Sequence, residues 1–419
     1  MDLQPPRGTE DLLPPGSAEM AELYVRAHRL AAVFGYRYVE TPAFESTDLF
    51  ARTSGESSDV VTKEMYTFKD RGGRSLTLRA EGTAPVVRAY LAHSHDLGSP
   101  FKAYYVNTTW RYGRPQAGRL REFRIFGAEV LGVAGAEADV EVVVLADRFL
   151  RDLGLSRLEL QVNSIGDETC RPAYRELLVA YLEEHREELT DEHRDRFRMN
   201  PLRVLDCKDE ACRAVSAGAP KIVDHLCEPC RQHFEEFLSV LESEGVKAVL
   251  TPTLVRGLDY YTRTAFEFVS DVLPQAQAGT VCGGGRYDGL AEVLGGPPTP
   301  GVGFGLGLDR TLLAARAEGV DLGVSTGVTC FVVGIGPGRA RGHDLLRQVR
   351  AAGVSADASF EERPLKAQLR MADRSGARFA LIVGDQEVAE GTVTVRRMED
   401  GHQEKVPATD VPTWISAQA

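Results

Sequence analysis

Long hydrophobic runs are missing from this chain. No uninterrupted apolar stretch approaches the roughly 18 residues that a membrane helix needs, so no membrane partner is expected. The opening residues, MDLQPPRGTEDLLPP, offer neither a basic n-region nor an apolar h-region, so no secretory signal is expected. Cysteine is scarce, with seven in 419 residues, an odd number. Without a secretory signal, that count points to a reducing cytoplasm and to free or metal-bound thiols. Positive charge is in deficit, with 49 Lys and Arg against 61 Asp and Glu and a net charge of −12. That balance argues against a protein coated in nucleic acid. It leaves room for local basic patches, because a surface field is set by charges within about 10 Å. Internal repeats and low-complexity tracts are also lacking.

What remains is an ordinary globular composition, 43% hydrophobic and 26% charged, long enough for two or three domains. Residues 1–160 read as mixed helix and strand. Apolar positions at helical spacing over 17–34 suggest a helix with Ser17 as its N-cap. Strand signals recur at 36–39, 65–68 and 75–79. Residues 102–111 and 121–131 then read as an antiparallel hairpin around the turn-prone YGRPQAGRL. Residues 167–245 are helix-rich and charged, hold five of the seven cysteines, and read as an inserted helical subdomain. Strand patterning resumes over 254–269 and 301–308, with a helix over 311–318. The texture changes again near residue 320. From there a β-α-…-α-β alternation predicts a separate α/β domain, so the expected division is 1–325 and 326–419.

Four motifs carry chemistry. In GVGFGLGLDR (301–310) glycines alternate with Val302, Phe304, Leu306 and Leu308, giving a strand bare on one face and apolar on the other. Either something flat lies on that bare face or another backbone packs there closely. Arg310 stands at the following helix start, in reach of a ligand. In the hairpin, Arg111, Arg114, Arg119, Arg121 and Arg124 cluster, and arginine forks suit phosphate or carboxylate. A solvated turn would explain Arg119 and Arg121 but not Arg111, which ends a strand of aromatics. In LVRGLDYYTRTAFEFV (254–269), Arg256 lies beside Asp259, Tyr260 and Tyr261, and is either salt-bridged to Asp259 or turned to a ligand. Three glycines before Arg286 and Tyr287 in CGGGRYDGL again imply a close approach. In SLTLRAEGTAPVVRAYLAH (75–93), Thr83 is the expected N-cap, and Glu81 and Thr83 project from a strand-to-helix corner. Separately, Cys207, Cys212, Cys227 and Cys230 form C-x4-C-x14-C-x2-C, a spacing that can hold structural zinc.

RGTEDLLP, the arginine hairpin, LVRGLDYY, GGGRYDGL and GVGFGLGLDR stand in the order found in histidyl-tRNA synthetases, and the chain resembles that family over nearly its whole length. The resemblance implies an α+β catalytic domain of class II type, an antiparallel sheet flanked by helices. To this it adds the helical insertion and a C-terminal α/β domain of anticodon-binding type. It also implies a homodimer, ATP with Mg2+, and ligation of L-histidine to tRNA-His through histidyl-adenylate. By resemblance Arg111 holds the α-phosphate, Arg310 the far phosphates, and Arg256 bridges carboxylate and α-phosphate. Glu81 and Thr83 hold the α-ammonium, while Glu129 and Tyr261 hydrogen-bond the imidazole. Gly82, Ile125 and Tyr260 complete the histidine pocket, and Arg119, Tyr287, Gly305 and Gly307 the ATP site. In the last domain Lys366, Arg370 and Arg374 recur every four residues, with Arg378 beyond. They suit anticodon-stem phosphates or, equally, a solvated face.

Two positions depart from the family. Ile125 stands where it usually has Gln, and Gly113 where it has Glu. Ile125 shares parity with Glu129 and should line the same pocket, so one amide is missing. A lost hydrogen bond to a charged group costs about 1.5–3 kcal/mol, roughly 10- to 150-fold in affinity. Two further readings stay open. One is a paralogue that binds or activates histidine or a related amino acid without charging tRNA. The other is a regulatory subunit like the synthetase-like partner of ATP phosphoribosyltransferase in histidine biosynthesis. That last reading predicts loss of Arg111, Arg256, Arg310 and the final domain, all of which are present.

Overall fold

A computed structural model describes residues 3–54, 63–116, 118–207, 209–255, 258, 260–273, 279–325 and 327–418. Arg256 and Asp259 lie outside the described residues, and with them the question of their pairing. The chain forms two compact units, Met1–Leu322 and Gly323–Ala419.

The first unit is built on an eight-stranded sheet. Its order runs Arg37–Tyr38, Phe101–Trp110, Glu122–Leu131, Gly301–Gly307, Thr280–Arg286, Thr262–Ser270, Leu158–Ser164 and Ala248–Leu250. The six central strands pair antiparallel, and each edge strand pairs parallel with its neighbour. The long hairpin is in register from Phe101 opposite Leu131 to Trp110 opposite Glu122. Alternating aromatic and β-branched residues favour such a pair, since each can fill the pleated surface. Helices pack on the sheet by their apolar stripes. In Gly16–Val33 these are Met20, Leu23, Ala27 and Ala31, all buried. That helix begins after Pro15 with no side-chain cap, so Ser17 is not its N-cap. The expected strand over 254–269 is shorter, Thr262–Ser270. Its start is bulged against Arg286, and Arg263 adopts a left-handed φ of 49°. The left-handed residue interrupts the regular ladder as a bulge between the pairs Gly285–Ala265 and Arg286–Thr262.

The insertion is a set of helices, chiefly Arg171–Glu184, Glu210–Ala217 and Glu228–Ser243. Tyr174, Leu178, Phe197, Val204 and Val215 form its core, continuous with Tyr260, Tyr261 and Tyr287 at the ends of sheet strands. One buried charge cluster bolts it down. Arg286, wholly buried, pairs with Asp139 and Asp288 and donates to the carbonyls of Val133 and Gly135 at 2.9 Å each. His233 of the insertion lies 3.3 Å from the same Asp139. Arg286 is therefore a structural residue whose donors are satisfied by protein.

The second unit has a five-stranded sheet ordered Ala356–Ala358, Cys330–Gly334, Phe379–Val383, Thr392–Arg397 and Gln403–Pro407. The first three strands are parallel, with helices Gly338–Ala351 and Leu365–Arg374 in the connections. No helix of the described residues is long and apolar enough to cross a membrane.

Candidate functional site

A cavity of about 390 Å³ opens over the centre of the large sheet. Its wall includes Glu81, Gly82, Thr83, Arg111, Arg119, Ile125, Tyr260, Tyr261, Gly305, Gly307 and Arg310, brought together from five stretches of chain. Glu129 and Tyr287 are not in that wall. Glu129 lies behind it, bonded to the wall residues Thr83 and Tyr105, and Tyr287 is bonded to Glu129.

Glu129 is wholly buried. Its carboxylate accepts from the hydroxyls of Thr83 at 2.8 Å, Tyr105 at 3.0 Å, and Tyr287. Burial pushes its pKa up to about 8; the hydroxyl donors pull the other way, and nearby Glu81 adds to the rise. Burial likewise holds the phenols of Tyr105 and Tyr287 well above their ordinary range, so both remain donors. Glycines make room for this group. A Cβ on Gly82 or Gly127 would fall 2.3 Å or 2.1 Å from the Tyr105 ring, and one on Gly301 2.3 Å from the Tyr287 ring. The bare face of the glycine strand is thus divided. Gly301 and Gly303 are filled from within the protein, by Tyr287 and Glu129. At Gly305 the nearest neighbour of a Cβ is Ile125 at 3.7 Å, and at Gly307 the nearest is at 3.8 Å, so only this half floors the cavity.

The strand-to-helix corner also differs from expectation. The helix Thr83–Leu97 has Gly82 at its N-cap, without a side-chain bond from that residue. Glu81 does the capping, accepting from the backbone N–H of Thr83 at 2.7 Å and of Ala84 at 2.9 Å. The Thr83 hydroxyl is thereby left for Glu129. Burial raises the Glu81 pKa, while the two N–H groups and Arg111 hold it down.

The cations are anchored by backbone. Arg111 Nε donates to the Ala80 carbonyl at 2.7 Å, and Arg310 Nε and Nη1 donate to the carbonyls of Gly118 at 2.6 Å and Thr280 at 2.9 Å. Burial lowers the Arg310 pKa first, and repulsion from Arg119 and Arg111 lowers it further. Three like charges held together in a cleft form a site for an anion. Arg124 is not among them. It is spoken for by Asp309, which accepts from its backbone N at 2.6 Å and its guanidinium at 2.8 Å.

Sequence reasoning missed several wall residues. Glu64 pairs with Arg119 and lies 3.3 Å from where a Cβ on Gly113 would be. A carboxylate from another segment thus stands beside position 113, and no local pattern announces it. Glu267, Thr280 and Leu258 also line the cavity. The hairpin register would have found Tyr105, since it sits opposite Gly127.

The four cysteines expected as one zinc set do not come together. Cys207 and Cys212 gather with His193, whereas Cys227 and Cys230 gather with Asp167 and Cys170. Spacing cannot tell which pairs a helical fold will juxtapose. In the second unit Lys366, Arg370 and Arg374 are exposed on the helix Leu365–Arg374, opposite its buried Gln368 and Ala372. Among the described residues none of the three is in an ion pair.

Comparison with known proteins agrees over the whole length. Residues 8–311 match the histidyl-tRNA synthetase family, and residues 329–418 an anticodon binding domain. The histidine–tRNA ligase of Moorella thermoacetica is 49% identical over 409 residues, covering 97% of this chain and 96% of the relative. That of Caldanaerobacter subterraneus subsp. tengcongensis is 45% identical over 413 residues, 98% of each chain. The crystal structure of apo S. aureus histidyl-tRNA synthetase superimposes with a TM-score of 0.82 at 36% identity, covering 99% of this chain and 100% of that one. The resemblance carried by the motifs, the fold and the relatives converge on one statement: the chain belongs to the histidyl-tRNA synthetase family.

Proposed function

We propose that the chain ligates L-histidine to tRNA-His in two steps, using ATP and holding a histidyl-adenylate between them. The observation that carries this reading is the convergence of Arg111, Arg119 and Arg310 on one cavity whose wall also holds Glu81, Thr83, Tyr260 and Tyr261. In the first step the histidine carboxylate attacks the α-phosphorus, the bond to the β-phosphate breaks, and pyrophosphate leaves. The carboxylate is already ionised at neutral pH, so no general base is required. Two unit charges at 4 Å repel by about 4 kcal/mol at an effective dielectric of 20, and clustered guanidiniums offset that repulsion. In the second step a terminal ribose hydroxyl of the tRNA attacks the carbonyl carbon and AMP leaves.

In this reading Arg111 holds the α-phosphate and Arg310 the far phosphates, while Gly305 and Gly307 floor the nucleotide. Arg119, braced by Glu64, faces the base. Arg256 bridges carboxylate and α-phosphate, a role that rests on its motif. Glu267, a carboxylate in the wall, would hold the Mg2+ that comes with ATP, and the ion would neutralise phosphate charge. Glu81 and Thr83 serve the α-ammonium, and Tyr260 and Tyr261 the histidine ring, with Glu129 and Tyr287 ordering them from below. Lys366, Arg370 and Arg374 contact tRNA phosphates. Family membership supports a cytoplasmic homodimer.

Histidine-dependent ATP–pyrophosphate exchange, with Arg111→Ala as control, tests the first step, and charging of a tRNA-His transcript tests the second. Exchange no greater than the control overturns the reading. Exchange without charging replaces it with an activating paralogue.

A further inference from the structure

Asp167, Cys170, Cys227 and Cys230 lie where the sheet hands over to the helical insertion. Asp167 and Cys170 follow the strand Leu158–Ser164, Cys170 being the residue before the helix Arg171–Glu184. Cys227 is the residue before the helix Glu228–Ser243, and Cys230 lies in its first turn. The two halves of the cluster are therefore some 60 residues apart in sequence, on the first and last long helices of the insertion. One ligand atom from each of the four side chains lies within 4.8 Å of the other three. Asp167 Oδ1 is 3.7 Å from Cys170 Sγ and 3.7 Å from Cys227 Sγ. Cys170 and Cys230 are buried, at 5% and 0% exposure.

We propose that these four side chains bind one thiophilic divalent cation, zinc by the chemistry of the donors, as a clasp that closes the insertion on itself. A tetrahedral zinc with bonds of about 2.3 Å to sulfur and about 2.1 Å to oxygen keeps its ligand atoms roughly 3.5–3.8 Å apart. The cluster meets that figure at two of its edges and needs a contraction of about 1 Å at most elsewhere. Three sulfurs and one carboxylate select zinc over the hard cations, which take oxygen. Three thiols converge on one carboxylate oxygen or its neighbours, and that donor set is the one a thiophilic cation takes. The outer groups also fit. Asp167 Oδ1 accepts from Thr169 N at 3.0 Å, and Arg263 reaches the other oxygen at 3.6 Å, which orients the ligand and offsets its charge. Two helices begin at the cluster, and their N-terminal dipoles favour the negative charge that bound thiolates carry.

The clasp also has a route to the cavity. Ile165 N donates to the Arg263 carbonyl at 2.7 Å, Arg263 N donates to the Gly166 carbonyl at 2.7 Å, and Arg171 donates to the carbonyl of Tyr261. The loop that supplies Asp167 and Cys170 is thus sewn to the segment that supplies Tyr261 to the cavity wall.

The test is metal analysis of the full-length protein, purified reduced and without a metal-binding tag. Wild type is expected to hold about one zinc per chain at this site, lost in Cys227→Ser and in Cys230→Ser and kept in Cys207→Ser, whose cluster offers three ligands only. Cobalt added to metal-stripped wild type should give intense thiolate-to-cobalt charge-transfer bands and a tetrahedral ligand-field spectrum. That arm needs no variant to fold. Wild type without stoichiometric metal and without the cobalt spectrum overturns the proposal, as does a metal content unchanged by the paired Cys227→Ser and Cys230→Ser substitutions.

Discussion

The carboxylate of Glu129 occupies the space that a side chain at Gly303 would need: a Cβ there would fall 1.7 Å from Glu129 Oε2 and 2.5 Å from the Ala128 carbonyl oxygen. Two cross-strand partners have therefore divided one volume, all of it given to the acid.

A methyl group added at either end of this strand should have different consequences. Gly303→Ala forces backbone and carboxylate apart, and overpacking of this kind costs about 1–3 kcal/mol or more. Its melting temperature should fall and histidine-dependent exchange should be lost. Gly305→Ala meets only Ile125 at 3.7 Å, so the fold should keep its melting temperature. The methyl then stands in the nucleotide floor, and the KM for ATP should rise about tenfold, some 1.4 kcal/mol. Thermal melts beside exchange kinetics distinguish the two. Equal melting temperatures for both variants would refute the division of the strand.

Glu129 makes stability depend on pH in an unusual direction. Its folded pKa, about 8, lies above the ordinary value of 4.5, so between those limits the folded state holds a proton that the unfolded chain has released. Stability from this group is then fully present below about 4.5 and declines as pH rises toward 8. Glu129→Gln, which cannot titrate, should show a flatter stability profile over that window in urea melts at several pH values. Parallel profiles would contradict the buried proton.

Ile125 lines the cavity at 8% exposure, on the same strand face as Glu129. Ile125→Gln places an amide there, and the KM for histidine should fall about tenfold, the worth of one charged hydrogen bond. The KM for ATP should not move. A raised or unchanged histidine KM would mean that the wall has satisfied the ammonium by other groups.

Glu64 pairs with Arg119 beside Gly113, where the family's usual Glu is missing. Glu64→Ala should release Arg119 and raise the KM for ATP. Gly113→Glu in that background should recover part of the loss, because its side chain would start 3.0 Å from Arg119 Nε. In the wild-type background the same Gly113→Glu crowds Glu64 and should weaken ATP binding. A double-mutant cycle on KM checks the sign of the coupling, and additivity would sink the substitution argument.

The centre of the sheet was readable in advance because period-two alternation and the family's motifs both fall there. Arg111, Arg310, Glu81 and Thr83, which the resemblance assigns to one site, line one cavity. Less was readable where residues of one type serve opposite ends. Gly301 and Gly303 look the same in sequence as Gly305 and Gly307, yet a tyrosine and a glutamate fill the first pair and leave the second open. Tyr287 follows three glycines that imply a close approach, and the structure shows its hydroxyl donating to Glu129. Arg286, its neighbour, is consumed by Asp139. The cysteines were misgrouped because Asp167 and Cys170 lie outside the spacing that drew attention to the other four. Glu64 had no signal, since its position depends on how a remote segment folds back onto the hairpin.

Glu81 gives one acid to two structures, the wall of the cavity and the first turn of the helix Thr83–Leu97. In the proposed function, an ammonium group arriving beside it would draw on the same two oxygens that hold the Thr83 and Ala84 amides. Occupancy of the pocket would then be written into the hydrogen-exchange rates of those two amides. The start of this helix would become an internal gauge of amino-acid binding, read without ATP, tRNA or turnover.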